Sequence, residues 1–512
     1  MRRLLVLLLA LLLLAGCAPA DVQPEDTEIQ DLLQSQETAP QPEPPAPEYP
    51  AAFSMAYHKD HTLDPITCGE GIQQNVAALL YEPLFRLDES FAPVPLLCGD
   101  YSWDESFTTL TVTPRPEVTF SDGSSLTAAD IAATLRRAAA SPRYSYRFRQ
   151  VSSITTDRSG QVIITLTTPN SGFVSLLDIP ITKNKTDSQI VPIGTGPYLL
   201  VTGADATRLI ANADWWQQKA LPVDTIELVH AKDQDTAMYL FSSHRVELLT
   251  VDPTVSTVSL TGQVDSLDVP TASLQYVGFN TAEGRLFSSA TARAAFSAGL
   301  QREHLVDAFL SDHALAAQFP ISPLSALYPA DLESPYQYEH FLSVMAAAGQ
   351  NTGAVQELTL LVNEEDSFRL TNARFIAESM SLMDWKITLV ALPWEEYLAA
   401  LTAGEFDLYY GEVRLTADWD ITDLVGTGGS LNYGGYSNIS TDTYLATYRA
   451  AADPVIAAYR LCQHLRTYAP IAPLCFKSST VLTHTGVVEG ISAVPYNTFH
   501  DLENWVIHLD PA

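Results

Sequence analysis

Positive charge is scarce in this sequence. Its 512 residues hold 28 lysines and arginines against 60 aspartates and glutamates, a formal net charge of −32. Nucleic acid is thereby set aside as a partner, because phosphate binding needs a basic surface. The acidity suits an exposed protein kept soluble by its own charge, or one that attracts cationic ligands. Past residue 17 no apolar run reaches the ~18 residues that a membrane-spanning helix needs. Enzyme signatures are also missing: there is no GxSxG, no HExxH and no glycine-rich phosphate loop. No period of about 20 to 50 residues repeats, which excludes a solenoid or propeller.

What is present begins with MRRLLVLLLALLLLAGC, two arginines before a short apolar run. The run is too short and too close to the terminus for a membrane span, and reads as a signal peptide. Leu14-Ala15-Gly16-Cys17 resembles the lipobox of bacterial lipoproteins, in which the cysteine is acylated and becomes the new N-terminus. Such an anchor holds a protein to a membrane without crossing it. An ordinary secretory signal that happens to hold a cysteine is the alternative. Residues 18–50 contain eight prolines, eight acids and no Lys or Arg. That composition buries no core and stays extended, so it is expected to be a tether.

Of the other cysteines, Cys68 and Cys98 lie in one early region, Cys462 in a helical pattern and Cys475 in an apolar strand. Outside the cytoplasm disulfides are permitted, so a Cys68–Cys98 bridge stays open, since sequence does not fix connectivity. The late pair reads as buried thiols.

The remaining length, about 460 residues, exceeds what one core usually supports and points to two or more lobes. In VTFSDGSSLTAADIAATLRRA, Leu110 and Val112 precede the stretch in alternation with threonines, which predicts a strand. Asp122-Gly123 predicts a tight turn, and Thr127 with Asp130 a capping box opening a helix. Further strands are expected at 162–166, 223–229 and 358–362, and helices at 72–80, 292–300, 368–383 and 440–452. Strands and helices interspersed along the whole length indicate an α/β chain.

Several short motifs stand in one order: Leu80 to Asp88 (LYEPLFRLD), Pro95-Leu96-Leu97 with Trp103, and Val118 to Asp130. After them come Gly194 to Tyr198 (GTGPY), Asn212 to Trp216, Tyr276 to Thr281, Ala292 to Phe296, Asn432 to Asn438 (NYGGYSN) and Ala469 to Leu474. Together they resemble the peptide-type solute-binding proteins of ABC importers, solute-binding family 5, over residues 53–512. The resemblance implies an α/β, periplasmic-binding-protein-like type II fold of two lobes, with an extra subdomain in lobe one. Lobe one would comprise residues 51–274, including the subdomain near 83–190, and a C-terminal return over 484–512. Lobe two would comprise 275–483.

A binding protein needs no nucleophile. It needs a cleft whose polar groups pair with the ligand and whose closure excludes water. The resemblance carries one candidate directly: Ala417-Asp418-Trp419 matches the stretch that supplies a carboxylate to the ligand's α-amino group. A buried ammonium requires such a charged acceptor. Asp418 or Asp420 capping a short helix near 421–425 is the alternative. The segment departs from the family pattern at Leu415, usually tryptophan, and lacks the proline that usually follows the aspartate, so the resemblance leaves the ligand class open. Arg414 would meet a ligand carboxylate, a solvated loop arginine being the alternative; Trp419, Tyr57, Thr67 and Tyr436 are further liners. His58 and His61, three apart on a strand or loop, make no metal site, and no cofactor is expected. Trp215, Trp216 and Trp394 read as packing.

The function expected from this resemblance is a monomeric, lipid-anchored receptor on the outer face of the bacterial cytoplasmic membrane. It captures a short peptide or related small solute and delivers it to an ABC permease complex. A ligand-binding sensor for a membrane receptor is the alternative; a surface hydrolase using Asp418, Asp420 and Asp423 lacks any supporting motif.

Overall fold

The structure is a computed structural model that describes residues 49–69, 71–185, 192–204, 206–253, 263–310, 313–350, 353–381 and 384–510. The leader with Cys17 and the tether to residue 48 lie outside the described residues.

Two long strands, Val264–Phe279 and Ile471–His484, organise the chain. They pair antiparallel from Val264 opposite His484 to Gly278 opposite Ile471. Each strand is extended for more than 40 Å at about 3.4 Å per residue. Their neighbours differ at the two ends. Near 480–484 the second strand pairs with Leu248–Val251, whereas near 273–279 the first pairs with Leu408–Arg414. The sheet among the described residues has eleven strands, and this pair is the bridge between its halves. On one side lie Leu248–Val251, Ser54–Tyr57, Thr225–His230, Thr207–Ala211 and Tyr198–Thr202; on the other, Leu408–Arg414, Gln356–Asn363 and Trp385–Leu392, and the eleventh strand, Ala314–Ala316, pairs with Ile471–His484. The ladder shifts register between Pro270 and Leu274 and again at Gln275. Pro270 has no N–H to donate, so the interruption falls where a ladder bond would be missing in any case.

The stretch from Val118 to Ala138 forms a separate layer. Cys98–Trp103, Thr109–Pro114, Val162–Leu166 and Val151–Thr156 make a four-stranded antiparallel sheet in that order. Leu110 and Val112 point inward as their alternation requires. Gly123 takes a φ of 79° in the turn. The helix Ala128–Ala140 follows, with Asp130 Oδ2 accepting from the Thr127 backbone N–H at 2.9 Å. Its Ile131, Leu135 and Ala138 bury a stripe against the sheet.

The GTGPY motif also resolves into packing. A Cβ on Gly194 would stand 2.0 Å from the Leu80 carbonyl oxygen, so only glycine lets this loop press on the end of the helix Ile72–Leu80.

Other expectations are met within a few residues at helix and strand ends, for example Ala290–Gly299, Ser367–Met380, Ile439–Arg449 and Thr225–His230. The Cys68–Cys98 bridge does not form. Both thiols are free: Cys98 donates to the Asp100 carbonyl at 3.3 Å within the core of the four-stranded layer, and Cys68 belongs to a different core. Cys462 and Cys475 are buried thiols. Trp394 departs from packing: about half of its surface is exposed, although its ring stacks on Tyr397.

Candidate functional site

Three parts of the chain line a cavity of about 830 Å3. Pro65 to Gly69, with Gln74, Ala77 and Ala78 on the following helix, form one wall; residues 142–147 with Asp178 and Pro180 form a second. Arg414, at the end of the strand Leu408–Arg414, and Tyr496 close the third side. Arg414 is opposite Ser273, inside the stretch where the ladder between the two long strands is interrupted.

The polar groups of this lining are mostly donors. The Arg143 guanidinium donates to the Cys68 carbonyl at 2.8 Å and lies 5.6 Å from the Tyr144 ring centroid. Arg147 reaches the other partners of that corner: it pairs with Asp178, donates to the Leu176 carbonyl, and lies 5.2 Å from the same ring. Arg414 sits over the Tyr496 ring at 4.6 Å. Guanidinium planes held against aromatic faces keep their N–H edges fixed for a planar acceptor.

Asp418 occupies a different setting. Its carboxylate accepts from Thr416 Oγ1 at 2.5 Å and from Asn170 Nδ2 at 2.9 Å, and its backbone carbonyl accepts from the Tyr448 hydroxyl at 2.8 Å. Burial is the main force raising its pKa, followed by the charge of Asp420; the Thr416 and Asn170 hydrogen bonds pull the other way. Asp420 Oδ1 accepts from the N–H of Thr422, the first residue of the short helix Thr422–Val425, at 3.0 Å, while Ile421 stands at the cap position. Asp420 also accepts from Gln150 Nε2 at 3.2 Å and lies within 3.5 Å of Arg149 and Arg449. The Ser171 N–H donates to the Arg449 carbonyl at 2.7 Å. Residues 149–172 are thus stitched to residues 416–449 by side chains and backbone together. Trp419, between the two aspartates, has a φ of 52° and packs edge-on against Phe91 and Phe476.

The six residues singled out from sequence are distributed as follows. Thr67 and Arg414 share the 830 Å3 cavity. Asp418 and Arg414 both border a small adjoining pocket of about 70 Å3 that also touches Arg147 and Arg149. Trp419 and Asp418 border an apolar cavity of about 350 Å3 on the far side, with Phe91, Trp103 and Leu327. Tyr57 lines a fourth cavity with Asp60 and His61, and does not share the space between Thr67 and Arg414. Tyr436 is buried with its hydroxyl on Thr441 and Arg293 over its ring, and lines none of these cavities. His58 and His61 stack face to face at 3.5 Å. Among the described residues no group of His, Cys, Asp or Glu could hold a metal ion.

Sequence reasoning passed over Arg143, Arg147, Gln74 and Tyr496. A signal for the first two was available. SPRYSYRFRQ places three arginines and two tyrosines within ten residues of a chain otherwise poor in cations. Gln74 and Tyr496 carry no such local mark.

Comparison with known proteins adds three findings. The sequence profile of the bacterial extracellular solute-binding proteins, family 5 (middle region), matches residues 92–430. The glutathione-binding protein GsiB of Salmonella typhi is 25% identical over 422 residues, covering 77% of this chain and 82% of that protein. Among solved structures, the ABC transporter substrate-binding protein CtaP of Listeria monocytogenes superposes with a TM-score of 0.72 at 18% identity, covering 90% of this chain and all of that one. A nickel ABC transporter protein of Bacillus halodurans does so with a TM-score of 0.74 at 17% identity, covering 88% and 98%. These likenesses establish the fold as a two-lobed, type II periplasmic-binding-protein-like α/β architecture.

Proposed function

Because the chain belongs to the bacterial extracellular solute-binding proteins of family 5, we propose that it is the substrate receptor of an ABC importer, capturing a short peptide or related small solute between its lobes. Its lobes are residues 51–274 with the return over 484–512, and residues 275–483, with a subdomain near 83–190 in the first. Cys17 carries the lipid, residues 18–50 tether the receptor to the outer face of the cytoplasmic membrane, and the receptor works as a monomer beside its permease.

One observation supports this reading above the others: the 830 Å3 cavity is lined by Thr67 and Arg143, from the part of the chain assigned to lobe one, and by Arg414, from the part assigned to lobe two. A solute that touches both sides favours the closed arrangement by the difference in its affinity for closed and open states. Glutathione, the solute for which the Salmonella typhi relative is named, is a short peptide of suitable size for such a space. No step in this account makes or breaks a covalent bond.

The test is mass spectrometry of the purified protein under native and then denaturing conditions. A single small solute released on unfolding, which raises the melting temperature when added back, is the expected result. A protein that arrives empty and gains no stability from peptides, amino acids, sugars or metals would contradict the receptor reading.

A further inference from the structure

Resting on the reading of the cleft as a solute site, we propose that the solute is a small acid with two carboxylates and a net negative charge, held by Arg143, Arg147 and Arg414. The first ground is the contrast between the cleft and the chain. Acids outnumber cations about two to one in the whole sequence, yet the described lining of the cavity carries three arginines and one acid, Asp178. Asp178 is already paired with Arg147. A cavity wall of one sign inside a protein of the other raises the local concentration of the matching ion.

The second ground is the set of donors along the wall: besides the arginines, Thr67, Gln74 and the tyrosines 144, 146 and 496 carry polar hydrogens that can be given to one acceptor-rich occupant. Arg143 and Arg414 also interact with further groups of the chain, so an entering carboxylate adds to or replaces those contacts.

The third ground concerns the opposite end of a zwitterion. Asp418, the residue that the family pattern offers to an ammonium, has both carboxylate oxygens engaged by Thr416 and Asn170 and does not line the large cavity. The cleft therefore recognises the acidic groups of its solute and leaves an amino group without a dedicated partner.

Isothermal titration of the purified full-length protein with three probes tests this. The probes are glutathione, its N-acetyl derivative (both carboxylates, no ammonium) and its diethyl ester (ammonium, no carboxylate). The N-acetyl derivative is expected to bind within about threefold of glutathione. The ester is expected to bind at least about tenfold more weakly, the scale of one charge-assisted hydrogen bond. Arg414→Gln and Arg143→Gln each weaken the acids by about 10- to 100-fold on the same scale and leave the ester unaffected, which separates loss of recognition from loss of folding. An ester that binds as well as the acid, or variants that bind the acids undiminished, overturns the proposal. If the chain binds none of the three probes while a neutral or cationic solute is released in the mass-spectrometric experiment, the proposal falls and the receptor reading stands. If neither experiment yields a solute, both fall.

Discussion

Trp419→Ala lowers the stability of the folded protein by about 3–5 kcal/mol, the cost of deleting a large aromatic from a close-packed site. Trp419 is 1% exposed and is wedged between Phe91 and Phe476 at ring separations of 5.2 and 5.7 Å. The 350 Å3 cavity already borders the ring, so truncation enlarges an existing void and leaves little for neighbours to collapse onto. The left-handed φ of 52° adds to the effect. A bulky residue is held there by its packing, and alanine keeps the strain while losing the contacts. Trp419→Phe, which retains a ring, is expected to fall between the two. Denaturant unfolding followed by circular dichroism gives the order; a Trp419→Ala variant within about 1 kcal/mol of the parent would mean that the ring does not anchor this loop.

The second large effect is on pH dependence, and Glu82 and Glu247 carry it. Its two carboxylate oxygens accept from Trp216 Nε1 at 2.6 Å and Gln217 Nε2 at 2.7 Å. Burial nevertheless outweighs these bonds and pushes its pKa up from 4.5 to about 7. Glu247 is raised to about 7 by burial as well. Below pH 4.5 such a carboxyl is neutral whether the chain is folded or unfolded. Between 4.5 and 7 the folded state binds more protons than the unfolded, so stability falls as pH rises through this window, and the loss is complete above 7. For Glu82 the full swing is roughly 3 kcal/mol. Glutamine imitates the protonated acid, so Glu82→Gln is expected to reduce the decline measured between pH 5 and pH 8, with Glu247 carrying the remainder. A variant whose stability falls as steeply as the parent's would remove Glu82 as a cause.

Much of the scaffold was legible because local chemistry decides it. The helix Ile72–Leu80 and the strand Val162–Leu166 stand where periodicity placed them, and Thr127 with Asp130 opened the helix they announced. The long strand Val264–Phe279 was not legible along its first half. Val264 to Pro270 carries two aspartates and a proline and reads as loop. It is extended because the strand Ile471–His484 supplies a partner residue by residue, a tertiary cause that no local pattern records. Motifs that carried the family resemblance mostly serve packing. Arg293 is buried and gives its N–H groups to the carbonyls of Phe287, Ser288, Tyr468 and Ala469. The NYGGYSN segment closes on itself through Asn432, which donates to the Gly426 and Tyr436 carbonyls.

The residues that sequence offered for a site are spread over the structure. Arg414 and Thr67 line one cavity, Tyr57 lines another, and Tyr436 is buried with its hydroxyl on Thr441. Asp418 is held by Asn170, more than two hundred residues away in sequence. A contact of that range depends on how residues 149–172 dock on residues 416–449, which sequence spacing does not encode. The run SPRYSYRFRQ marked Arg143 and Arg147 locally, but the groups that hold them, the Cys68 carbonyl and Asp178, are distant in sequence.

The central claim is that two bodies joined by the strands Val264–Phe279 and Ile471–His484 close on a solute. Donor and acceptor dyes on cysteines replacing Tyr239 and Ile439, both well exposed, measure it directly, since the native thiols among the described residues are buried. Adding the co-purifying solute to solute-free protein is expected to shorten and narrow the distance distribution, at concentrations that match its binding isotherm. A distribution that stays unchanged while the same solute saturates the protein would contradict the account.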